Sequence, residues 1–416
     1  MTEVRSLLRR RGLQNSGRVG MVELFFDLVF VFAVTQLSHM LLAHLTLAGV
    51  GQTAMLLLAV WWVWIYTSWV TNWLDPERVP VRLCLFGLML AGLLMSVSLP
   101  HAFGERGLLF ACAYVSMHVG RTIFFLWAVR GAPLRLRRSF QRILIWLLLS
   151  GCLWIVGGFA EGVTRQAWWG LALLLELIAP SIYYWVPILG ASVITDWDID
   201  GGHMAERCAL FVIIALGESL LVTGATFAEA QWSVSTVVAF VVAVLGAIAM
   251  WWLYFDTGAE RAQHRIAASS DPGRQGRLAY TYVHVLIVGG VIVCAVADEL
   301  ALAHPDHASN AGIAAILGGP ALYLAANALF KWVTNDRRGP PLSHLVGLAL
   351  LAASVPFALS HAFSALGLAT VTTVVLLLVA TWETVALRGR EEVIGDESEG
   401  GADVRPASSS RHITHH

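Results

Sequence analysis

The chain is a succession of apolar runs, each about 20 residues long and separated by short polar turns. Such runs predict transmembrane helices, because a helix that rises about 1.5 Å per residue needs about 20 residues to cross the hydrocarbon core of a bilayer. The pattern predicts twelve helices, at residues 22–45, 51–73, 82–100, 107–130, 141–161, 168–192, 205–227, 233–257, 279–303, 312–334, 342–362 and 365–387. The gaps between them are too short for a soluble domain. We therefore predict an all-α fold, a polytopic transmembrane helical bundle of about twelve spans.

Basic residues collect in alternate loops, which gives the bundle a predicted orientation. The positive-inside rule places the basic loops in the cytoplasm. The basic set comprises the N-terminus, Arg78, Arg82, the cluster between 130 and 142, Arg207, the cluster between 261 and 277, the cluster between 331 and 338, and the C-terminal tail. The alternate set holds only Arg106 and Arg165. We predict cytoplasmic termini, a basic N-terminus at 1–20, a transmembrane domain at 21–388 and a disordered acidic tail at 389–416.

Composition agrees with a membrane protein and excludes several other classes. The 416 residues are 57% hydrophobic and only 13% charged, whereas soluble domains carry about 25% charged residues. The five cysteines lie in or beside apolar runs and show no metal-ligand spacing, so we predict neither a metal site nor a cofactor. The arginines follow topology and form no basic surface for a nucleic acid. Phosphate loops, nucleophile elbows and metalloprotease motifs are absent from the sequence.

The first predicted helix carries two acids on one face. Glu23 and Asp27 are four residues apart in an otherwise apolar run. A charge at the centre of a membrane helix costs about 2.5–3.5 kcal/mol on insertion scales, so such residues are usually paired, protonated or functional. Asp27 is the deeper of the two, and we interpret it as functional. Glu23 lies near the interface, where it could also reach water or cap the helix. His39 follows on the same helix and is either a proton relay or a satisfied core histidine.

The seventh helix contains a second polar group. Glu206 and Arg207 lie near its start, and Glu218 lies about three turns deeper, beside Gly217. Glu218 is central in the membrane, which makes it the strongest functional candidate. Glu206 and Arg207 are interpreted either as part of the pathway or as an ion pair at the start of the helix.

Further polar residues lie in the sixth and ninth helices. His284 and Asp298 are fourteen residues apart in the ninth helix and share approximately one face. Asp298 is either a pathway residue or part of a solvated helix end. Glu176 lies in the sixth helix, upstream of Pro180 and Pro187, which free backbone carbonyls and kink a helix.

Arg121, in the fourth helix, is the only candidate counter-cation that this pattern places inside the membrane. Asp27, Glu218 and Glu176 are expected to compete for it. One guanidinium cannot neutralise three carboxylates, and loss of solvation disfavours a charged carboxyl. We therefore expect at least one buried carboxyl to hold a proton.

The motifs at 22–38, 206–219 and 284–299 together resemble those of bacterial low temperature requirement A (LtrA) proteins. The resemblance spans roughly residues 15–390, and its first motif is specific. It implies a multi-pass protein of the bacterial cytoplasmic membrane, in a family named for growth in the cold. It implies no agreed catalytic residues.

Our first hypothesis is an ion- or proton-coupled secondary transporter, or else a channel, whose first, fourth, seventh and ninth helices line the pathway. Asp27 and Glu218 would carry the coupling ion, Arg121 would tune them or hold an anionic substrate, and His39 and His284 would relay protons. A lipid-modifying membrane enzyme is the second hypothesis, although no catalytic residues are evident and a non-enzyme is favoured. A sensor or scaffold, whose polar groups only specify helix packing, is the third. The expected partners are the bilayer and an unknown small solute or ion, and a homodimer is left open.

Overall fold

In a computed structural model, the described residues form a bundle of twelve α-helices. The structure describes residues 7–9, 18–192, 200–256, 276–334 and 339–400, with side chains as far as 386. The helices are α1 Met21–Ala43, α2 Leu47–Trp73, α3 Val79–Ser98, α4 Gly107–Ala128, α5 Leu134–Phe159, α6 Gly162–Ile178, α7 Gly201–Glu229, α8 Val234–Tyr254, α9 His284–Ala303, α10 Asn310–Thr334, α11 Leu342–Leu359 and α12 Ala365–Gly400. A 3₁₀ turn, Leu99–His101, follows α3, and a π-helical segment, Arg277–Val283, leads into α9.

Eleven of these helices are long and apolar enough to span a membrane, which confirms the prediction of a multi-pass helical protein. The count of twelve spans and the cytoplasmic termini stay predictions. The predicted tail at 389–416 falls where side chains or whole residues lie outside the described part of the chain, and its disorder also stays a prediction.

The sixth helix differs from the prediction of 168–192. α6 has only 17 residues, and it ends at Ile178, before Pro180. The proline has no N–H to donate to the preceding turn, and the chain then enters tight turns in which Tyr183, Tyr184 and Ile188 adopt positive φ angles. Arg142 donates to the carbonyl oxygen of Leu189 at 2.6 Å, which fixes this irregular segment against α5.

The twelve helices pack as two groups of six, α1–α6 and α7–α12, with corresponding neighbours. Within the first group, α1 packs against α2 and α3, α2 against α4 and α6, α3 against α4, and α5 against α4 and α6. The second group contains each equivalent pair: α7 with α8 and α9, α8 with α10 and α12, α9 with α10, and α11 with α10 and α12. Each of these pairings of the first group thus has an equivalent in the second. The second group also contains α8–α9, α9–α12 and α10–α12 contacts, which have no equivalent among these pairings of the first.

The main helix contacts between the two groups involve four helices. α1 and α2 of the first group contact α7 and α9 of the second. Binding sites of many transporters lie where two groups of helices meet. The sequence analysis predicted α1, α4, α7 and α9 as the lining helices; the structure has α2 at this interface, whereas α4 packs within the first group against α2, α3 and α5.

Four of the five tryptophans of α2 contact residues at this interface, whereas Trp73 packs against Phe125 and Phe140 within the first group. Trp61, Trp62 and Trp64 are almost completely buried. The Trp61 indole donates to the carbonyl oxygen of Thr281 at 2.7 Å, and Trp69 donates to the Thr281 hydroxyl at 3.2 Å. These bonds attach α2 to the π-helical segment of the other group.

The two arginines of the arginine-poor loops have structural roles. Arg165 is buried and donates to backbone carbonyl oxygens at the ends of α5 and of the 3₁₀ turn, namely those of Gly157, Gly158, Ala160, Ala102 and Gly104. Arg106 donates to the carbonyl oxygen of Val97 at 3.0 Å. Carbonyls at helix C-termini lack intrahelical donors, and a cation there is stabilising.

A close approach of α9 and α10 gives the first testable prediction. A Cβ added at Gly290 would lie 2.8 Å from the Cα of Tyr323, whereas one added at Gly318 on α10 would meet nothing within 4 Å. Gly290→Val is therefore expected to destabilise the protein by at least about 1–3 kcal/mol, because the opposing atom is backbone and cannot move aside. Thermal unfolding in detergent micelles measures this, with Gly318→Val as the control. Equal midpoints for the two variants would contradict the packing.

Candidate functional site

A fully buried ion pair joins α1 to α7. The Arg207 Nη2 donates to Asp27 Oδ1 at 2.8 Å, and both side chains have no solvent exposure. The Trp64 indole of α2 donates to the same oxygen at 2.8 Å, and the Arg207 guanidinium lies over the Trp64 ring at 5.5 Å. Ser68, one turn further along α2, accepts from the same Arg207 nitrogen at 3.1 Å. Three helices thus supply the groups of this pair and its partners, while Asp27 Oδ2 and Arg207 Nη1 have no hydrogen-bond partner in the described structure.

Glu23 lies one turn before Asp27 and is also completely buried. Its Oε1 lies 3.0 Å from His203 Nε2 of α7. Its Oε2 accepts from Arg9 Nη2 at 2.6 Å and from the Gly20 N–H at 2.8 Å. Arg207 Nη1 approaches Oε1 at 4.0 Å. Glu23 therefore does not reach water, but it does cap α1, since its carboxylate accepts from the N–H of the N-cap residue Gly20.

Asn72 determines which nitrogen of His203 donates. The Asn72 Oδ1 accepts from the Asp200 N–H at 2.9 Å, and its Nδ2 donates to the Asp200 carbonyl at 2.8 Å, so the orientation of the amide is fixed. The same Nδ2 lies 3.2 Å from His203 Nδ1, which must then accept. A neutral His203 then carries its proton on Nε2, which lies 3.0 Å from Glu23 Oε1 and 3.1 Å from Arg9 Nη2. Asn72 also holds the residue that caps α7, since Asp200 Oδ1 accepts from the His203 N–H.

Arg9 closes this cluster at the arginine-rich end. Its backbone N–H donates to the Trp73 carbonyl at 2.8 Å, and its Nε donates to the Thr71 carbonyl at 2.7 Å. The N-terminal segment at 7–9 is thereby attached to the end of α2. We call Arg9, Glu23, Asp27, Ser68, Asn72, His203 and Arg207 the ion cluster.

The ion cluster corrects three expectations. Arg121 is not the counter-cation of Asp27; Arg207 is. Arg207 does not pair with Glu206 at the start of α7, because neighbouring helix positions face different ways: Arg207 faces inward, whereas Glu206 is exposed and accepts from the Val19 N–H at 3.2 Å. Two guanidinium groups and two carboxylates balance in charge, so the supposed shortage of buried cations does not apply to Asp27.

Arg121 belongs to a separate polar network in the first six helices. It donates to the Val63 carbonyl and the Thr67 hydroxyl of α2, and it bonds to His118 Nδ1 at 3.0 Å. The described structure gives it no carboxylate partner. α2 therefore lies between two networks, with Trp64 and Ser68 facing the ion cluster and Val63 and Thr67 facing Arg121.

Glu176, the predicted competitor for Arg121, is held by neutral donors. The Tyr114 hydroxyl donates to its Oε2 at 2.5 Å, and the Trp154 indole donates to its Oε1 at 3.1 Å. The Tyr114 ring also contacts His118, with centroids 4.6 Å apart. A Glu176–Tyr114–His118–Arg121 series thus runs along α4, apart from the ion cluster.

His284 is a core histidine with both ring nitrogens occupied. Its Nε2 lies 2.8 Å from the Tyr254 hydroxyl, and its Nδ1 lies 2.8 Å from the Ala279 carbonyl. It is completely buried. No hydrogen bond or ion pair joins it to Asp27, Arg121 or Glu218 in the described structure, and its place in a polar set with these residues stays a prediction. A relay through His284 has no geometric support.

A cleft of about 1040 Å³ opens at the arginine-poor end, between α1, α7, α8 and α9. Glu218 lies in its wall and is only 4% exposed. Within the described structure Glu218 forms no hydrogen bond or ion pair. His39 and Thr35 of α1 line the opposite side. We call this space the acidic cleft, because the acids among its lining residues are Glu218, Glu229, Glu299 and Asp306, and none of its lining residues is lysine or arginine.

Asp298 and Glu299 face different spaces although they are adjacent. Glu299 lines the acidic cleft, and its Oε2 is buried without a hydrogen-bond partner in the described structure. Asp298 instead lines a small cavity of about 20 Å³ with Pro320, Thr372 and Thr373. The sequence analysis chose Asp298 for the pathway and passed over Glu299. Adjacent positions are about 100° apart on a helix, and only packing decides which faces the cleft.

An aromatic layer separates the acidic cleft from the ion cluster. Phe211 lies one turn beyond Arg207 on α7, on the side of Glu218. Its ring centroid is 4.4 Å from that of Trp64, 5.3 Å from that of Trp61 and 6.3 Å from that of Phe30. All four side chains are at most 1% exposed. Arg207 and Glu218 are about 16 Å apart along the helix axis, and Phe211 lies between them on the same helix.

A further buried ion pair was not found by sequence reasoning. Lys331 of α10 bonds to Glu383 of α12, and His344 Nδ1 of α11 lies 3.7 Å from Glu383 Oε1. Both acid and base lie near the predicted ends of their helices and resembled ordinary interfacial charges. The pair ties together three helices of the second group, away from the acidic cleft.

The comparisons with known proteins agree with the architecture. The bacterial low temperature requirement A protein (LtrA) family matches residues 18–381. The chain is 44% identical over 371 residues to "Uncharacterized protein RA0937" of Rhizobium meliloti (strain 1021), which covers 88% of this chain and 89% of that protein. No solved structure matches the chain. The chain belongs to the bacterial low temperature requirement A family of multi-pass membrane proteins.

Proposed function

We propose that this protein is a proton- or cation-coupled secondary transporter of the bacterial cytoplasmic membrane. The observation that carries the proposal is the position of Glu218: a buried carboxyl without a partner, in the wall of a cleft that lies where the two six-helix groups meet. An unpaired acid is costly at such a site and marks an ion pathway more often than a packing contact.

The remaining geometry supports alternating access. The acidic cleft is open at one end, the aromatic layer closes it in the middle, and the ion cluster with Arg9 closes the other end. In this conformation Glu218 exchanges ions with one side only. Rocking of α1–α6 against α7–α12 would separate Phe211 from Trp61 and expose the pathway to the opposite side. Asp27 and Arg207 connect the two groups and would be the contact that must rearrange.

A channel agrees less well with the aromatic layer, which is closed in this conformation. A scaffold agrees less well with Glu218, an acid that has no partner in the described structure. A scaffold accounts for the ion cluster, whose charges balance, but it gives no role to Glu218. The acids of the cleft are dispersed, and no hydrogen bond joins its histidine, His39, to any of its serine or threonine hydroxyls in the described structure. The lipid-modifying enzyme therefore has no assembled nucleophile and base in its favour.

Purified protein in proteoliposomes tests the proposal. An imposed pH gradient, followed with a trapped pH-sensitive dye, is expected to dissipate faster when sodium, potassium or a linear amine is added outside. Glu218→Gln is expected to abolish this cation-dependent dissipation, because the amide neither binds nor releases a proton. Glu105→Gln, at an exposed acid of the same end, is the matched control. Dissipation unchanged by Glu218→Gln would overturn the coupling role.

A further inference from the structure

We infer that the acidic cleft binds an extended organic polycation, a linear oligoamine with several protonated nitrogens. This inference names the substrate class of the proposed transporter and so rests on that function for its biological meaning, but the binding site itself is argued from the cleft alone.

The lining of the cleft is rich in acidic side chains. Four carboxyl side chains line the cleft, one each from Glu218, Glu229, Glu299 and Asp306, and its described lining residues include one histidine, His39, but no lysine or arginine. Glu218 is only 4% exposed and forms no hydrogen bond or ion pair in the described structure. The buried Oε2 of Glu299 accepts no hydrogen bond there. Both groups gain most from a ligand that brings its own positive charge and N–H donors.

The acids of the cleft are too far apart for a single metal ion to be the ligand that fits the cleft best. The described residues contain no group of three or more histidine, cysteine, aspartate or glutamate side chains arranged to hold a metal. Glu218 and Glu229 are eleven residues apart on α7, about 16 Å along the axis. A compact ion would satisfy one of them, whereas a chain of amines would reach both.

The size and the lining of the cleft also fit a linear organic cation. A cleft of about 1040 Å³ exceeds what a hydrated ion fills and lies at the upper end of the usual range for small-molecule sites. Trp232 and Leu302 supply apolar surface for methylene segments between charged nitrogens, and Thr35, Ser233 and Thr236 supply hydroxyl acceptors. Trp232 also offers a ring face to a cation at the mouth of the cleft.

Isothermal titration of the full chain in lipid nanodiscs tests this inference, with the linear triamine spermidine as the probe. Mg²⁺, a monoamine and a neutral triol are the comparison ligands. We expect spermidine to bind more tightly than each of these, and Glu218→Gln and Glu299→Gln each to weaken it about tenfold or more, because each removes a charge-assisted hydrogen bond. Glu105→Gln is expected to leave binding unchanged. Asp306→Asn, in an exposed loop, is expected to weaken binding severalfold and provides a variant that does not disturb helix packing.

Two results would overturn the inference: Mg²⁺ or the monoamine binding as tightly as spermidine, or spermidine binding that none of the cleft variants weakens. The outcome is separable from that of the flux experiment. If spermidine binding depends on Glu218 but cation-dependent flux is unaffected by Glu218→Gln, the binding site stands and the proposed transport function fails. If flux requires Glu218 but spermidine does not bind selectively, the transporter stands and the oligoamine is not its substrate.

Discussion

Arg207→Gln is expected to destabilise the folded protein by about 3–5 kcal/mol, because it leaves the buried Asp27 carboxylate without its cation. The wild-type pair is 2.8 Å apart, with no solvent exposure on either side chain. Only the Trp64 indole would then remain as a donor to Asp27. Unfolding by sodium dodecyl sulfate in mixed micelles, followed by tryptophan fluorescence, measures the change.

Two controls make this result interpretable. Arg82→Gln removes an arginine from an exposed pair with Glu77, and such pairs contribute at most about 1 kcal/mol. The double variant Asp27→Asn with Arg207→Gln is expected to regain part of the lost stability, since no uncompensated charge remains, and the two effects should not add. Two results would show that Asp27 and Arg207 do not form the buried pair. One is a double variant whose loss of stability equals the sum of the two single losses, and the other is an Arg207→Gln protein as stable as the Arg82→Gln protein.

Phe211→Ala is expected to make proteoliposomes leak protons without any added cation. The Phe211 ring fills the space between Trp61, Trp64 and Phe30, and its removal opens the aromatic layer between the acidic cleft and the ion cluster. The same substitution is expected to cost about 3–5 kcal/mol of stability, as is usual for a buried phenylalanine. Decay of an imposed pH gradient in the absence of other permeant cations is the measurement.

Phe357→Ala is the matched control for the leak, because Phe357 on α11 is 60% exposed on the outside of the bundle. Phe211→Leu keeps most of the side-chain volume and is expected to leak less than Phe211→Ala. A leak that increases as the side chain becomes smaller indicates loss of the aromatic barrier, whereas a leak caused by misfolding would not follow side-chain volume. A folded Phe211→Ala protein that holds the gradient as well as Phe357→Ala would show that the aromatic layer is not the closed gate.

The helices could be predicted from sequence because each apolar run must satisfy its own backbone hydrogen bonds, which only a helix does in lipid. α6 was misplaced because apolar residues continue past Pro180, and hydropathy does not register the loss of the proline N–H. The arrangement in two groups of six was not evident, since the two groups share helix pairings, which only the packing shows.

The candidate site was predicted in part. Asp27 and Glu218 were selected correctly as buried acids, because the cost of burying charge can be judged from one helix alone. Their partners could not be selected, since Arg207 meets Asp27 only through the packing of α1 on α7. One signal was available and missed: Trp64, Ser68 and Asn72 repeat every four residues on α2 and form a polar stripe in an apolar helix. Arg9 was counted only as a topological charge.

The distance between the two six-helix groups at both ends of the bundle tests alternating access most directly. Spin labels at Leu47→Cys and Val234→Cys report the arginine-poor end, and labels at Glu77→Cys and Leu342→Cys report the other. Each pair has one position in each group, and all four residues are exposed. Exposed Cys112 and Cys152 are replaced by alanine in this background. Double electron–electron resonance in nanodiscs is expected to show the first distance shorten and the second lengthen when pH is changed or spermidine is added. In the Glu218→Gln variant, neither distance is expected to change. Distances that stay constant at both ends under every condition would contradict the transporter and favour a rigid scaffold.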